Sequence, residues 1–357
     1  MKKVLLTGGG TAGHVTANLA LMPFLHKEGY EIYYIGRKEG IEKELVEDVE
    51  DCKVTYFGIS SGKLRRQINI ENIKDFFKVG KGYFEALKLL KKIKPDLVFS
   101  KGGYVVVPVI LSAKSLNIPI IIHESDYTPG LANKIAMPFA KVILTSFEST
   151  KNFIKKGEVI HTGSPIRDEI LEGNFEIGKT FVGFKDDKKV LLLTGGSQGA
   201  KKLNETLRNA LKEGKLQDFN IIHLAGKGNL DTSLDYTNYK QFEYLSTELP
   251  HIFAYADFVI TRGGSNSIFE LLALKKPHII IPLPKGASRG DQLENAKEFF
   301  EKGYSKVLYE NDLTTNSLKL NLQDLCINKD EYVKNMNSYT KNNTLNEIMS
   351  LIKKNID

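Results

Sequence analysis

The residues best suited to chemistry follow runs of apolar side chains. Val4-Leu5-Leu6 leads into Thr7-Gly8-Gly9-Gly10-Thr11-Ala12-Gly13-His14, and Val190-Leu191-Leu192-Leu193 leads into Thr194-Gly195-Gly196-Ser197-Gln198-Gly199-Ala200. Each predicts a strand, a glycine loop and a helix, an arrangement that lets backbone N–H groups close on a phosphate at the positive end of the helix. The same spacing also suits an ordinary strand-to-helix turn. His14 comes directly after the first loop. At a helix start it either reaches a bound phosphate or sugar, or it caps and packs. Lys101-Gly102-Gly103-Tyr104 follows the apolar run ending at Ser100, and His123-Glu124-Ser125-Asp126 follows another. Three ionisable groups at one strand end can supply a general base or grip hydroxyls. Ser125 or Asp126 can instead cap the helix that starts near Pro129. Arg262-Gly263-Gly264-Ser265 repeats the phosphate-cradle pattern. Glu270 lies a turn or more into the helix that follows, where a carboxylate either bridges two ribose hydroxyls or faces solvent. Asp291 and Gln292 open a further helix with groups that donate to and accept from sugar hydroxyls.

Holding these residues at strand ends requires parallel sheets. Strand-like runs alternate with helix-like ones through both halves, at Val4–Thr7, Glu31–Ile35, Lys53–Phe57, Pro95–Ser100, Pro119–His123 and Lys141–Leu144, and again from Val190–Leu193 to Ser305–Leu308. Such βαβ alternation predicts parallel sheets covered on both faces. A chain of 357 residues is too long for one ordinary core, which argues for two domains. Gly and Pro punctuate Thr162 to Arg167, so the expected domains are residues 1–162 and 163–340. Leu345, Ile348, Met349 and Ile352 stand at helical spacing, and this terminal helix, about residues 341–357, is expected to pack back on the first domain.

The composition, 41% apolar and 26% charged, is that of a globular protein. Cys52 and Cys326 lie far apart in no metal-ligand spacing, so neither a disulfide framework nor a cysteine metal site is expected, and a reducing compartment fits. The apolar run after Lys3 stops at the glycines, against a signal peptide. The run Tyr104–Ala113 is too short for a membrane span. The net charge of +7 is carried by residues 61–94, where ten bases face three acids among many apolar residues. Its earlier part, with Lys63, Arg65, Arg66, Phe76, Phe77 and Lys78, suits an anionic membrane surface that admits apolar side chains. Its later part, Tyr83–Ile93, reads as an amphipathic helix with its apolar face inward. No nucleic-acid motif accompanies the bases, so nucleic acid is not expected.

Gly8, Gly10 and Gly13 also match the dinucleotide fingerprint, which calls for an acid near the end of the second strand. That place holds Ile35-Gly36-Arg37, which disfavours NAD and leaves an NADP-dependent oxidoreductase, with Arg37 on the extra phosphate, as the alternative from another class.

Taken together, Gly9 to His14, Gly102-Gly103-Tyr104, His123-Glu124, Gly163-Ser164-Pro165-Ile166-Arg167, Gly195 to Ala200, Arg262-Gly263-Gly264 with Glu270, and Asp291-Gln292 with Asn295-Ala296 resemble the MurG family of peptidoglycan glycosyltransferases. The resemblance implies a GT-B fold, two Rossmann-like α/β parallel-sheet domains facing one cleft. It implies inverting transfer of GlcNAc from UDP-GlcNAc to the C4 hydroxyl of MurNAc in undecaprenyl-pyrophosphoryl-MurNAc-pentapeptide, converting lipid I to lipid II. The first domain then faces acceptor and membrane, and the second holds the donor. Thr11, Ala12, Gly13, Arg167, Ser197, Gln198, Glu270 and Gln292 match donor-binding positions. Gly102, Gly103 and Tyr104 match an acceptor loop, and His14, Glu124 and Asp126 stay open as the catalytic base. No cofactor is implied, and no metal, since the sugar-binding stretches hold no Asp-x-Asp motif. The implied partners are UDP-GlcNAc, lipid I and the anionic inner leaflet, with room for other cell-wall enzymes, and the implied location is peripheral on the cytoplasmic face of the membrane. Two departures stand out. Many family members have a second glycine at Ala12, and many have Gln-Asn at Ser125-Asp126. A diacylglycerol glycosyltransferase of the same fold is the alternative within the class.

Overall fold

The computed structural model describes residues 1–49, 52–62, 70–196, 199–286, 289–341 and 343–356, with backbone alone at Ala12, residues 70–74 and Phe76. Lys63, Arg65 and Arg66 of the expected membrane segment, and Ser197 and Gln198 of the second glycine loop, lie outside the described residues, as do the side chains of Ala12 and Phe76. The chain separates into two units, residues 1–167 with 341–357, and residues 168–340.

The first unit runs β1 (Lys3–Thr7), α1 (Ala12–Lys27), β2 (Glu31–Arg37), α2 (Ile41–Glu47), β3 (Val54–Ile59), α3 (Ile70–Ile93), β4 (Leu97–Ser100), α4 (Val106–Ser115), β5 (Ile120–Glu124), α5 (Leu131–Ala136), β6 (Val142–Thr145) and β7 (Glu158–His161). Among the described residues its strands form one parallel sheet in the order β3-β2-β1-β4-β5-β6-β7. The central strands are buried on both faces, and Val4, Leu5, Leu6, Leu97, Val98 and Phe99 have no exposed surface. Continuous apolar runs of this kind are what a parallel sheet sheathed by helices demands.

The second unit runs α6 (Asp168–Leu171), α7 (Phe175–Val182), β8 (Lys189–Thr194), α8 (Lys201–Lys212), β9 (Phe219–Leu224), β10 (Tyr239–Phe242), α9 (Leu249–Tyr255), β11 (Phe258–Thr261), α10 (Ser265–Ala273), β12 (His278–Ile280), α11 (Asp291–Glu301), β13 (Lys306–Val307), α12 (Thr315–Ile327) and α13 (Lys329–Asn337). Its strands, again parallel, are ordered β10-β9-β8-β11-β12-β13. The strand order reverses between β1 and β4 in one unit and between β8 and β11 in the other. In open α/β sheets the carboxyl ends of strands at such a reversal form the ligand-binding crevice.

The terminal helix α14 (Thr344–Ile356) belongs to the first unit. Its Leu345, Ile348, Met349 and Ile352 join the core that includes Leu21 and Leu25 of α1. The Thr344 hydroxyl donates to the Thr162 carbonyl at 2.8 Å, and Lys353 pairs with Glu28 at 2.7 Å. α3 is amphipathic. Ala86, Leu90 and Ile93 are buried inward, whereas Phe77 and Phe84 are 71% and 69% exposed. Lys81 and Lys88 are exposed at helical spacing with them.

Candidate functional site

The loops after β1 and β4 lie side by side at the first reversal. Asn18 Nδ2 donates to Thr7 O at 3.2 Å, and the Tyr34 hydroxyl donates to Gly8 O at 2.9 Å, so the first loop leaves its strand on fixed carbonyls. The Lys101 N–H donates to Thr7 O and the Gly9 N–H to Gly102 O, stitching the two loops together. Gly103 has φ +88°, and a Cβ there would strike the Gly9 carbonyl oxygen. Only glycine satisfies both demands. Gly10 has φ +91°, and a Cβ there would come within 2.9 Å of the Tyr104 ring. The spacing that reads as a phosphate cradle is thus also set by how closely these two loops approach.

Thr11 caps α1 without a side-chain hydrogen bond, and the His14 N–H closes the first turn on Thr11 O at 3.2 Å. Thr11 and Gly13 are exposed, and His14 in the first turn is half-buried. Arg37, kept open above for an NADP phosphate, is committed elsewhere. Its Nε and Nη2 donate to the two Glu42 oxygens at 2.8 and 3.1 Å, and its Nη1 donates to the Tyr104 hydroxyl at 2.8 Å. That geometry removes the residue on which the NADP reading rested. Glu42 is a residue that motif reading passed over.

The cluster at the end of β5 divides by role. His123 is fully buried, and its Nε2 lies 3.0 Å from Gly163 O. A carbonyl only accepts, so Nε2 carries the proton and Nδ1 accepts from Lys101 Nζ at 2.5 Å. Burial and the Lys101 charge push the His123 imidazole well below its usual range, and burial pushes the Lys101 ammonium down to about 7. Glu124, 3% exposed, accepts from the backbone N–H groups of Asp126 and Gly130 at 3.0 Å and from Asn133 Nδ2 at 2.8 Å. Glu124, and not the Ser125 or Asp126 that the sequence offers as a cap, organises the turn into α5, whose N-cap Gly130 has no side-chain cap bond. Burial and the adjacent Asp126 carboxylate raise the Glu124 carboxyl above its ordinary range. Asp126 is half-buried on the loop that Glu124 holds.

In the second unit the loops after β8 and β11 flank the reversal. Gly199 has φ +72°, and a Cβ there would meet Ala225 O. Neither Ala200, which caps α8, nor Gly264, which caps α10, makes a side-chain cap bond. Arg262 turns inward, pairing with Glu310 at 2.5 Å and donating to Ile281 O at 3.1 Å. Its part in the phosphate-cradle motif is therefore to hold the loop. Gln292 Oε1 accepts from the N–H groups of Gly263 at 3.2 Å and Leu283 at 3.1 Å, so the amide oxygen ties the loop after β11 to the loop after β12. Glu270 is half-buried in the second turn of α10. Arg167 is also half-buried, and its Nε has no hydrogen-bond partner among the described residues. Among the described residues, no group of three or more His, Cys, Asp or Glu could hold a metal ion, and no helix is long and apolar enough to cross a membrane.

Two parallel-sheet units with paired glycine loops at their reversals define a GT-B fold. Residues 4–145 match the glycosyltransferase family 28 N-terminal domain, and residues 190–352 match the family 28 C-terminal domain. The chain is 51% identical over 356 residues, 99% of each chain, to the UDP-N-acetylglucosamine--N-acetylmuramyl-(pentapeptide) pyrophosphoryl-undecaprenol N-acetylglucosamine transferase of Lachnospira eligens. It is 50% identical over 350 residues, 98% of each chain, to a Bacillus thuringiensis transferase of the same name. The chain belongs to this family of N-acetylglucosamine transferases, the MurG family. The crystal structure of Acinetobacter baumannii MurG superposes with a TM-score of 0.76 at 26% identity, over 99% of this chain and 100% of that one. A Neisseria meningitidis UDP-GlcNAc 2-epimerase, at TM-score 0.69 and 15% identity over 99% of this chain and 100% of that one, shares the fold alone.

Proposed function

We propose that the chain moves GlcNAc from UDP-GlcNAc to the C4 hydroxyl of MurNAc in undecaprenyl-pyrophosphoryl-MurNAc-pentapeptide, with inversion at the anomeric carbon, making lipid II from lipid I. The observation that carries this reading is the full-length kinship to a transferase whose name states that donor and that acceptor. The loop after β8 and the first turn of α8 take the donor diphosphate, where fixed N–H dipoles offset the charge gathering on departing UDP. This electrostatic role asks for no metal and no cofactor. Glu270 accepts from the ribose hydroxyls, Gln292 donates through its amide NH2, and Arg167 offers its unpartnered Nε. Ser197 and Gln198, and Thr11, Ala12 and Gly13 of the first loop, complete the donor set by their match to the family motifs. Gly102, Gly103 and Tyr104 take the acceptor.

As the C4 oxygen attacks C1, its proton passes to a base and the C1–O bond to UDP breaks. His14 and Asp126 are the two candidates. Glu124 is spent on the turn and acts by holding the Asp126 loop. The acceptor is anchored in the membrane, so the enzyme works peripherally on the cytoplasmic face, with α3 as the docking element. Transfer of labelled GlcNAc onto a short-chain lipid I analogue, with diacylglycerol as the control acceptor, tests the reaction. Labelling of diacylglycerol alone would overturn it. Replacing the true base, by His14→Ala or Asp126→Asn, lowers kcat by about 100- to 10,000-fold and leaves UDP affinity within twofold. If neither substitution lowers kcat, the base lies elsewhere.

A further inference from the structure

One carboxylate accounts for much of the shape of the first glycine loop. The Glu42 side chain has no exposed surface, although it rises from the first turn of α2. A buried carboxylate must be paired and hydrogen-bonded. Glu42 accepts a forked pair of bonds from the Arg37 guanidinium, and a third from the Arg37 backbone N–H at 3.0 Å. The glycines around it form its mould. A Cβ at Gly9 would lie 2.6 Å from Oε1, at Gly40 2.5 Å from Oε2, and at Gly36 2.8 Å from Cγ. The Gly10 N–H points to Oε2 from 3.5 Å. Gly9 therefore has a task besides leaving room for a ligand, which is to admit Glu42.

The guanidinium reaches onward. Its third nitrogen donates to the Tyr104 hydroxyl at 2.8 Å, and its carbon lies 5.6 Å from the centre of the Tyr104 ring. The ring in turn fills the space that a Cβ at Gly10 would need. Behind the pair, the Tyr56 hydroxyl donates to Arg37 O at 2.6 Å and fixes the end of β2. The path thus runs from α2 through β2, across the loop after β1, to the loop after β4. The ion pair strengthens both ends, lowering the Glu42 carboxyl and raising the Arg37 guanidinium.

From this geometry we infer that Glu42 and Arg37 are positioning residues for the acceptor, which hold Tyr104 against the Gly8–Gly10 loop so that the two loops meet the acceptor as one preformed surface. Neither touches the reacting atoms. The inference rests on the reading of Gly102–Tyr104 as the acceptor loop. Lysine cannot replace Arg37, because a point charge can hold Glu42 but lacks the fork that also reaches Tyr104.

The test is steady-state kinetics with a short-chain lipid I analogue and UDP-GlcNAc on Glu42→Gln, Arg37→Lys, Tyr104→Phe and the Glu42→Gln/Tyr104→Phe double variant. Each single change is expected to raise the acceptor KM by about tenfold while the donor KM stays within about twofold. The double variant should be no worse than the weaker single one, since residues acting as a unit are not additive. Arg37→Lys should restore melting temperature relative to Arg37→Met, but not acceptor KM. Effects that multiply to about a hundredfold, or Glu42→Gln with an unchanged acceptor KM, would overturn the inference, as would Tyr104→Phe with both KM values unchanged. Should Tyr104→Phe raise the donor KM and leave the acceptor KM alone, the acceptor reading fails instead, and the same cycle scored on donor KM still judges the coupling. If Glu42→Gln fails to fold, the cycle of Arg37→Lys with Tyr104→Phe takes its place.

Discussion

Lys101 is a residue whose charge and position oppose each other. It is 1% exposed, its Nζ meets an imidazole nitrogen instead of a carboxylate, and burial brings its ammonium down to about 7. The Glu124 and Asp126 carboxylates favour the charge, and desolvation outweighs them. In the unfolded chain a lysine titrates near 10.4. Below about pH 7 both states are protonated and the burial cost is fully present. Between 7 and 10.4 the unfolded state binds more protons, so stability rises with pH, and above that range the cost is gone. The stability of Lys101→Met relative to the native chain is therefore expected to fall by up to roughly 5 kcal/mol between pH 7 and 10.4. Urea unfolding of both proteins across that range checks it, and a difference that stays flat with pH would show that Lys101 titrates alike in both states. At this scale the sequence was legible as position, with His14 at the start of α1, Tyr104 after β4, Glu124 at the end of β5 and Gln292 at the start of α11. It was silent on Glu42, because the glycines that make room for it, Gly9, Gly36 and Gly40, meet only once β1, β2 and α2 have packed. It was also silent on the difference between Glu124 and Asp126, since which of two neighbouring acids caps a turn depends on where Gly130 and Asn133 arrive.

Among the elements, α3 divides two readings that its sequence mixes. Its 3.6-residue period makes the inward face legible, and Ala86, Leu90 and Ile93 are buried as that period requires. The outward face places Phe77, Lys81, Phe84 and Lys88 in one stripe. Asp75, which composition alone counts against the basic charge, is buried and pairs with Lys78 at 3.5 Å. Two exposed aromatic rings flanked by ammonium groups suit an anionic bilayer surface, where rings enter the interface and lysines stay at headgroup level. Each ring that leaves water is worth about 1–2 kcal/mol at partial burial, so Phe77→Ser with Phe84→Ser is expected to weaken binding to anionic liposomes by at least tenfold. UDP affinity should be unchanged. Binding that persists in the double variant would remove α3 as the docking element. Other elements escaped the sequence reading for local reasons. α7 is short and opens with Asn174, whose side chain accepts from the Ile177 N–H, so its apolar face spans only about two turns and makes a weak signal. α12 has a capping box closed by Ser317 in place of the usual Glu or Gln, so its start does not announce itself.

For the molecule as a whole, alternating apolar runs predict parallel sheets, but the order of strands within each sheet is not written in any one run. The reversals at β1/β4 and β8/β11 arise from crossover packing, and they bring glycine loops about a hundred residues apart in the first unit into contact. The terminal helix has a comparable reach. The first unit is built from both ends of the chain, and α14 supplies Ile348 and Ile352, each without exposed surface, to a core shared with α1 and the sheet. Truncating Ile348 to Ala leaves a cavity in that core and is expected to cost about 2–5 kcal/mol. Of the proposed donor set, the loop after β8, Glu270 and Gln292 lie in the other unit, and Arg167 and Thr11 to Gly13 lie in the first unit but outside the core that α14 joins. UDP affinity measured below the unfolding transition should therefore stay within twofold, while urea unfolding followed by far-UV circular dichroism loses midpoint. UDP binding to one unit still stabilises that unit by mass action, so saturating UDP should leave the loss at Ile348→Ala uncorrected in the unit that contains α14. A loss below about 1 kcal/mol would mean that α14 is peripheral to the core, and a parallel fall in UDP affinity would mean that the two units are not energetically separable in this way.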